Sequence, residues 1–221
     1  MLHSTREYQM SRNMNTRRSL YIICLLLLSA VGNKLDAQTV VKSVRQANDS
    51  TNHALIHQIG FDVRPGYVAP TNSFLEGDNA QRQKIDRSLS LHLKYAFQFS
   101  KDSYLGRLYP HAYQGIGVSH NTFYNSAELG NPVAVYAFQG APIVRLSSCL
   151  SLDYEWNFGA SFGWKQYDEH SNWYNDAIGS KINAYINLGF VLNWQFYPQW
   201  KLAAGVDFTH FSNGNTRYPN G

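Results

Sequence analysis

Cysteine is nearly absent: the 221 residues hold two, Cys24 and Cys149. Long apolar runs are absent as well. The longest, Leu20 to Val31 in "SLYIICLLLLSAVG", is shorter than the roughly 20 residues a membrane-spanning helix needs. With a mean hydropathy of −0.36, the chain is excluded from being a bundle of such helices. Charge is scarce, at 15% of residues against about 25% in an average soluble domain. The formal net charge of +4 gives no basic patch either. Arg6, Arg12, Arg17, Arg18 and Lys34 stand before residue 38 with only Glu7 and Asp36 against them, so 14 of the 19 basic and 13 of the 15 acidic residues follow. That balance excludes a surface that tracks a nucleic-acid backbone.

The basic residues cluster where a second reading accounts for them. Arg17 and Arg18 precede the apolar run, and "KLDAQ" with the small residue Ala37 follows it. A basic region, a short apolar core and a small residue before the cut describe a secretory signal peptide, expected over 1–37 with cleavage after Ala37. Met10 and Met14 lie closer to the basic region than Met1, so the natural start is expected at one of them. Cys24 leaves with the leader, Cys149 remains alone, and no intrachain disulfide holds the fold. No cysteine follows the apolar run to take a lipid anchor. Residues 38–54 are polar and aperiodic and are expected to be a flexible lead-in.

What the chain has in abundance is aromatic residues, at 14%, and alternation. In "IDRSLSLHLKYAFQF", Leu89, Leu91, Leu93, Tyr95, Phe97 and Phe99 fall on one face, opposite Ser88, Ser90, His92, Lys94 and Gln98. "LSLDYEWNFGASFGW" sets Leu150, Leu152, Tyr154, Trp156 and Phe158 against Ser151, Asp153, Glu155 and Asn157. "KINAYINLGFVLNWQF" repeats the pattern from Ile182 to Phe196. Period-2 alternation over such lengths specifies long antiparallel strands. Their polar faces are richer in charge and amide than a sheet packed on a dry core needs. Apolar outside and polar inside, with aromatics at the strand ends, is the pattern of a transmembrane β-barrel. Trp156, Trp164, Trp173, Tyr174, Trp194, Tyr197 and Trp200 are placed for the interfacial girdles. A soluble barrel that binds a hydrophobic ligand shares the alternation and is the alternative. "HALIHQIGFDVRPGYV" and "QGIGVSHNTFY" are further strands, "YPQW" a tight turn, and Thr71 to Lys84 and Gln166 to Ala177 longer loops. The expected fold is all-β, an antiparallel transmembrane barrel of the eight-stranded type over 55–221, truncated after about six or seven strands and incomplete at its C-terminus.

The last strand ends in "VDFTHFSNGNTRYPNG". Trp200, Leu202, Ala204, Val206 and Phe208 make its apolar face, which His210 and Ser212 continue. Residues two apart on a strand share a side, with Cα atoms about 6.6 Å apart, within reach of an imidazole–hydroxyl pair. If the apolar face meets lipid, the pair lies outside the barrel near its rim, where a membrane lipid reaches it. A strand running into a polar turn is the plain alternative, and "SNGN" suits one.

"THFSNGNTRYPNG" resembles the signature of the lipid A 3-O-deacylases, the PagL-like acyloxyacyl hydrolase family, in which a His, an aromatic and Ser-Asn are followed by Pro-Asn. "ELGNPVAVYAFQGAPI", "YEWNFGASFGWKQY" and "NDAIGSKINAYINLG" resemble strands of that family's barrel. The resemblance runs from about Leu55 to the end. It implies an eight-stranded outer-membrane enzyme that removes the 3-linked acyl chain of lipid A from lipopolysaccharide, without cofactor or metal. Carried over, it makes Ser212 the nucleophile and His210 the general base. Asn213 and the backbone N–H of Gly214 become oxyanion or substrate contacts, and Asn220 a loop-holding residue. The family's acid, a glutamate that orients the histidine, follows the Pro-Asn-Gly turn. No Asp or Glu follows Asp207 here, so that acid is expected beyond the end of this chain. Asp207, Asp153 and Glu155 have inward parity and do not replace it. An inactive or structural barrel fragment is the other reading of the same residues.

Overall fold

The computed structural model describes residues 38–44 and 55–219. The expected signal peptide over 1–37 and the expectation for Asn220 lie outside the described residues. Eight antiparallel strands follow one another in chain order: β1 (Gln38–Val44), β2 (Leu55–Tyr67), β3 (Arg87–Phe99), β4 (Tyr113–Thr122), β5 (Gly130–Arg145), β6 (Leu150–Trp164), β7 (Ile182–Tyr197) and β8 (Trp200–Ser212). Each pairs with the next, and β1 pairs with both β2 and β8. The six or seven strands expected from the alternation are the seven long ones, β2 to β8, which form a curled antiparallel sheet.

The flexible lead-in expected over 38–54 is corrected over its first part, because Gln38–Val44 is β1. "QTVVKSV" is too short to show alternation, and what selects a strand there is the pair of free edges of β2 and β8, which no local pattern reveals. β1 joins those edges only over their lower parts. Gln38 faces Val63 on one side and Ala204 on the other, so Arg64–Tyr67 and Gly205–Ser212 run on past it. Across that upper seam Arg64 reaches Asp207, Nη1 to Oδ2, at 2.7 Å.

The connections at the two ends differ. Residues 68–86, 123–129 and 165–181 join strands at the end where β8 finishes, while 146–149 and 198–199 are tight turns at the other. The connection 100–112 departs from this asymmetry; it lies at the short-turn end and carries a helical turn, Tyr104–Leu108.

Polarity is inverted relative to a soluble barrel. Outward positions are large and apolar: Ile59, Leu93, Ile116, Phe158, Leu188 and Phe208 are all exposed, Phe208 by 71%. The buried positions include Asp62, His92, Asp153, Glu155, Asn157, Asn187 and Asn193. Arg64 contacts Asp62 at 2.5 Å and Glu155 at 3.5 Å, and Lys94 holds Glu155 at 2.6 Å. Ion pairs and amides thus line much of the described lumen. A band of outward apolar side chains is what hydrocarbon solvates.

Two apolar clusters lie inside the sheet. Phe74, Leu75, Ile85, Leu129, Trp164, Ala177 and Ile178 cap the lumen, and Ala96, Ala134, Tyr136, Phe138 and Tyr185 lie beneath. Trp164 was expected in a girdle; it is instead buried, 5% exposed, and stacks on Phe123. The cause is local. Gly163 takes φ +87° and the β5–β6 register shifts between Gly130 and Val133, so the bulge turns the following side chain to the other face.

Candidate active site

The end of β8 is fixed by one side chain. Phe211 points inward and packs edge-on to Trp164, with centroids 4.9 Å apart, and against Tyr185 at 5.5 Å and Phe123 at 6.1 Å. It thereby touches both apolar clusters. Neighbouring residues on a strand project to opposite faces, so anchoring Phe211 inside sets His210 and Ser212 outside. Their cross-strand partners on β7 are Ile186 and Ala184, and Ile186 is 41% exposed on the outer apolar face. His210 and Ser212 thus continue the outward apolar row of Val206 and Phe208 to the long-loop rim. Parity in the sequence indicated that direction; Phe211 as its cause was equally readable, since it holds the inward position between them.

Beyond Ser212 the chain turns at once. Gly214 and Asn215 take φ +66° and +59°, two successive left-handed residues. Glycine is suited to the first, and a Cβ there would meet nothing within 4 Å, so the left-handed backbone rather than crowding favours it. The Gly214 N–H donates to Ser212 Oγ at 3.0 Å. Asn213 turns into the loop: its Nδ2 donates to the carbonyls of Arg217 at 2.6 Å and Pro219 at 3.5 Å, while its own carbonyl accepts from the Thr216 hydroxyl at 2.7 Å. Its Oδ1 is buried without a partner. The segment 213–219 lies against the 165–181 connection at Gly179, where a Cβ would collide with the carbonyl oxygens of Arg217 and Pro219. Nothing in the sequence singles Gly179 out, because its role depends on a backbone 38 or more residues away.

Of the expected site residues, then, His210, Ser212 and Gly214 share the outer rim, and Asn213 braces the turn beneath them. No carboxylate of the described residues forms an ion pair with His210. Asp207 pairs with Arg64 across the β2–β8 seam, Asp153 Oδ2 accepts from Asn193 at 2.8 Å, and Glu155 binds Lys94. All three are inward, as strand parity requires. A hydroxyl, an imidazole and a backbone N–H on one outer rim are groups of the kind that acyl transfer uses.

The sequence model of the lipid A 3-O-deacylase (PagL) family matches residues 90–221, well over half of the chain, from within β3 through the turn after β8. No curated protein and no solved structure matches.

Proposed function

The chain belongs to the lipid A 3-O-deacylase family, and from that premise we propose that it hydrolyses the 3-O-linked acyl ester of lipid A in the outer membrane, with Ser212 as nucleophile and His210 as general base. The observation that carries the reading is the outward projection of both residues from the apolar face of β8 at the long-loop end. There an ester at the lipid–headgroup boundary meets them without entering the lumen.

The chemistry is a two-step acyl transfer. Ser212 Oγ attacks the ester carbonyl while His210 removes its proton, and the tetrahedral intermediate places negative charge on the former carbonyl oxygen. The Gly214 N–H, one residue past the Ser212–Asn213 peptide and already at 3.0 Å from Oγ, is positioned to turn to that oxyanion. Asn213 contributes chiefly by holding Arg217 and Pro219, which keeps the left-handed turn in place; its amide reaches the oxyanion only by releasing them. Collapse expels the sugar 3-hydroxyl, which takes the proton from His210. Water, activated by the same imidazole, then attacks the acyl-enzyme, frees the fatty acid and restores Ser212. A group that orients His210 is not among the described carboxylates, and its absence from a triad costs about 10⁴ in rate. Lys181 and Arg217, both exposed on this rim, suit an anionic lipid.

The experiment is release of the 3-O-linked fatty acid from purified lipid A by the folded chain in detergent, with Ser212→Ala and His210→Asn beside it. Both variants are expected to retain heat-modifiable gel migration and to lose release. Undiminished release by Ser212→Ala overturns the assignment. A folded but inactive parent chain would instead favour the structural-barrel reading.

A further inference from the structure

The short-turn end of the lumen opens into a cavity of about 250 Å³. Lys101, Arg145 and Lys201 line it, and Asp153 is the one carboxylate among its lining residues. The charge arrangement is the reverse of that in the lumen above. There, Arg64 and Lys94 lie within ion-pair distance of Asp62, Glu155 and Asp207. In the cavity the cations are held by neutral partners. Arg145 donates through Nη1 to His111 Nε2 at 2.7 Å and through Nη2 to the Ser148 carbonyl at 3.1 Å. Lys201 Nζ lies 3.5 Å from Gln58 Oε1 and 6.0 Å from the centre of the Tyr113 ring. Because a guanidinium only donates, His111 is the neutral acceptor in its contact with Arg145.

Neutral partners orient a cation and leave its charge uncompensated. Burial, followed by the charges of Arg145 and Lys101, holds the His111 imidazole below its usual range, so the positive charges act together on one point of the wall. Asp153 accepts from Asn193 through Oδ2, its Oδ1 is buried without a hydrogen-bond partner, and it forms no ion pair with the three cations among the described residues. Two units of positive charge remain in a pocket large enough for a tetrahedral anion and its water. A planar donor fork and two flexible ammonium groups suit phosphate oxygens.

We propose that this cavity binds a phosphate group, with Arg145 and Lys201 on its wall and Lys101 at its mouth as the donors. The phosphate comes either from free inorganic phosphate or from a phospholipid headgroup at the membrane face beside the mouth, where Trp194, Tyr197 and Trp200 stand exposed.

The test is titration of the folded full chain in neutral detergent with inorganic phosphate and, separately, with dihexanoyl phosphatidic acid, followed by phosphorus NMR line width and calorimetry. Saturable binding is expected. Arg145→Gln and Lys201→Gln should each weaken it about tenfold, the loss that follows from removing one charge-assisted contact. Lys165→Gln, at the other end of the barrel, should leave it unchanged. Lys101→Gln, in an exposed connection, keeps the test open if a strand variant fails to fold. Binding of inorganic phosphate identifies the free anion as sufficient; binding of the phosphatidic acid alone assigns the headgroup. No saturable binding of either probe, or equal affinity in all cation variants, overturns the proposal.

Discussion

The two faces of β8 share one backbone and meet different surroundings. Inward, Ala203, Asp207 and Phe211 fit a filled interior: Asp207 closes the seam with Arg64, and Phe211 is wedged among Trp164, Tyr185 and Phe123. Outward, Val206 and Phe208 stand exposed and lead to His210 and Ser212. The contrast separates two kinds of dependence that are usually entangled. Residues one apart divide stability from chemistry, because the inner neighbours hold the strand and the outer ones have little to hold. Substitutions that respect this division should move one property and leave the other.

The largest effect is expected on the outer face. Ser212→Ala and His210→Asn should each lower ester hydrolysis by at least about a thousandfold, since nucleophile and base act as a unit. Their unfolding midpoints, read from heat-dependent gel migration, should stay with the parent. Next comes Phe211→Ala, which empties an aromatic site. It should cost about 3–5 kcal/mol of stability and also reduce activity, because the outer pair loses its anchor. Phe211→Leu should restore most of both. If Phe211→Ala is as stable as the parent, the inner face of β8 does not position the outer one. Asp207→Asn ranks third. Arg64 keeps Asp62 and Glu155, and Asp207 is partly exposed, so a loss of about 0.5–1 kcal/mol is expected, with hydrolysis per folded molecule unchanged.

The smallest effect is a pH dependence far from β8's outer end. His111 is held below its usual range by burial and by the charges of Arg145 and Lys101. The folded state therefore takes up a proton less readily than the unfolded chain. The His111 contribution is fully present above the ordinary histidine value of about 6.5 and declines as the pH falls from there toward the depressed folded value. Melting at about pH 7.5 and 5.5 should show a shallow loss on acidification that His111→Gln removes. An equal slope in the variant would place the titration elsewhere.

How much of this was legible in the sequence follows from the range over which each feature is set. Alternation within one strand revealed β3, β6 and β7 and the direction of His210 and Ser212, because side-chain period is a local property. It also turned Asp207, Asp153 and Glu155 inward and so withheld them from His210. β1 was missed because seven residues show no period and their strand state is imposed by two edges far along the chain. Trp164 was misplaced because one bulge at Gly163 breaks the parity on which the reading depends. The partners of Arg64 were out of reach as well: Glu155 and Asp207 stand 91 and 143 residues away, joined to it only by closure of the sheet.

The lumen repeats the lesson of β8 on a larger scale. Its long-loop half pairs Arg64 and Lys94 with carboxylates and serves the fold, whereas the short-turn mouth holds its cations on neutral groups and remains open to an anion. The same residue types have different uses according to what compensates them.

The central claim is that Ser212, facing lipid, is the nucleophile. The most direct measurement is mass-spectrometric mapping of a serine-directed alkyl fluorophosphonate on the folded chain in mixed lipid–detergent micelles. Attack by Oγ forms the O–P bond and expels fluoride, so a covalent adduct on Ser212 is expected, with labelling slowed severely in His210→Asn. An unlabelled Ser212 in a chain that still releases the 3-O-linked acyl group would contradict the account.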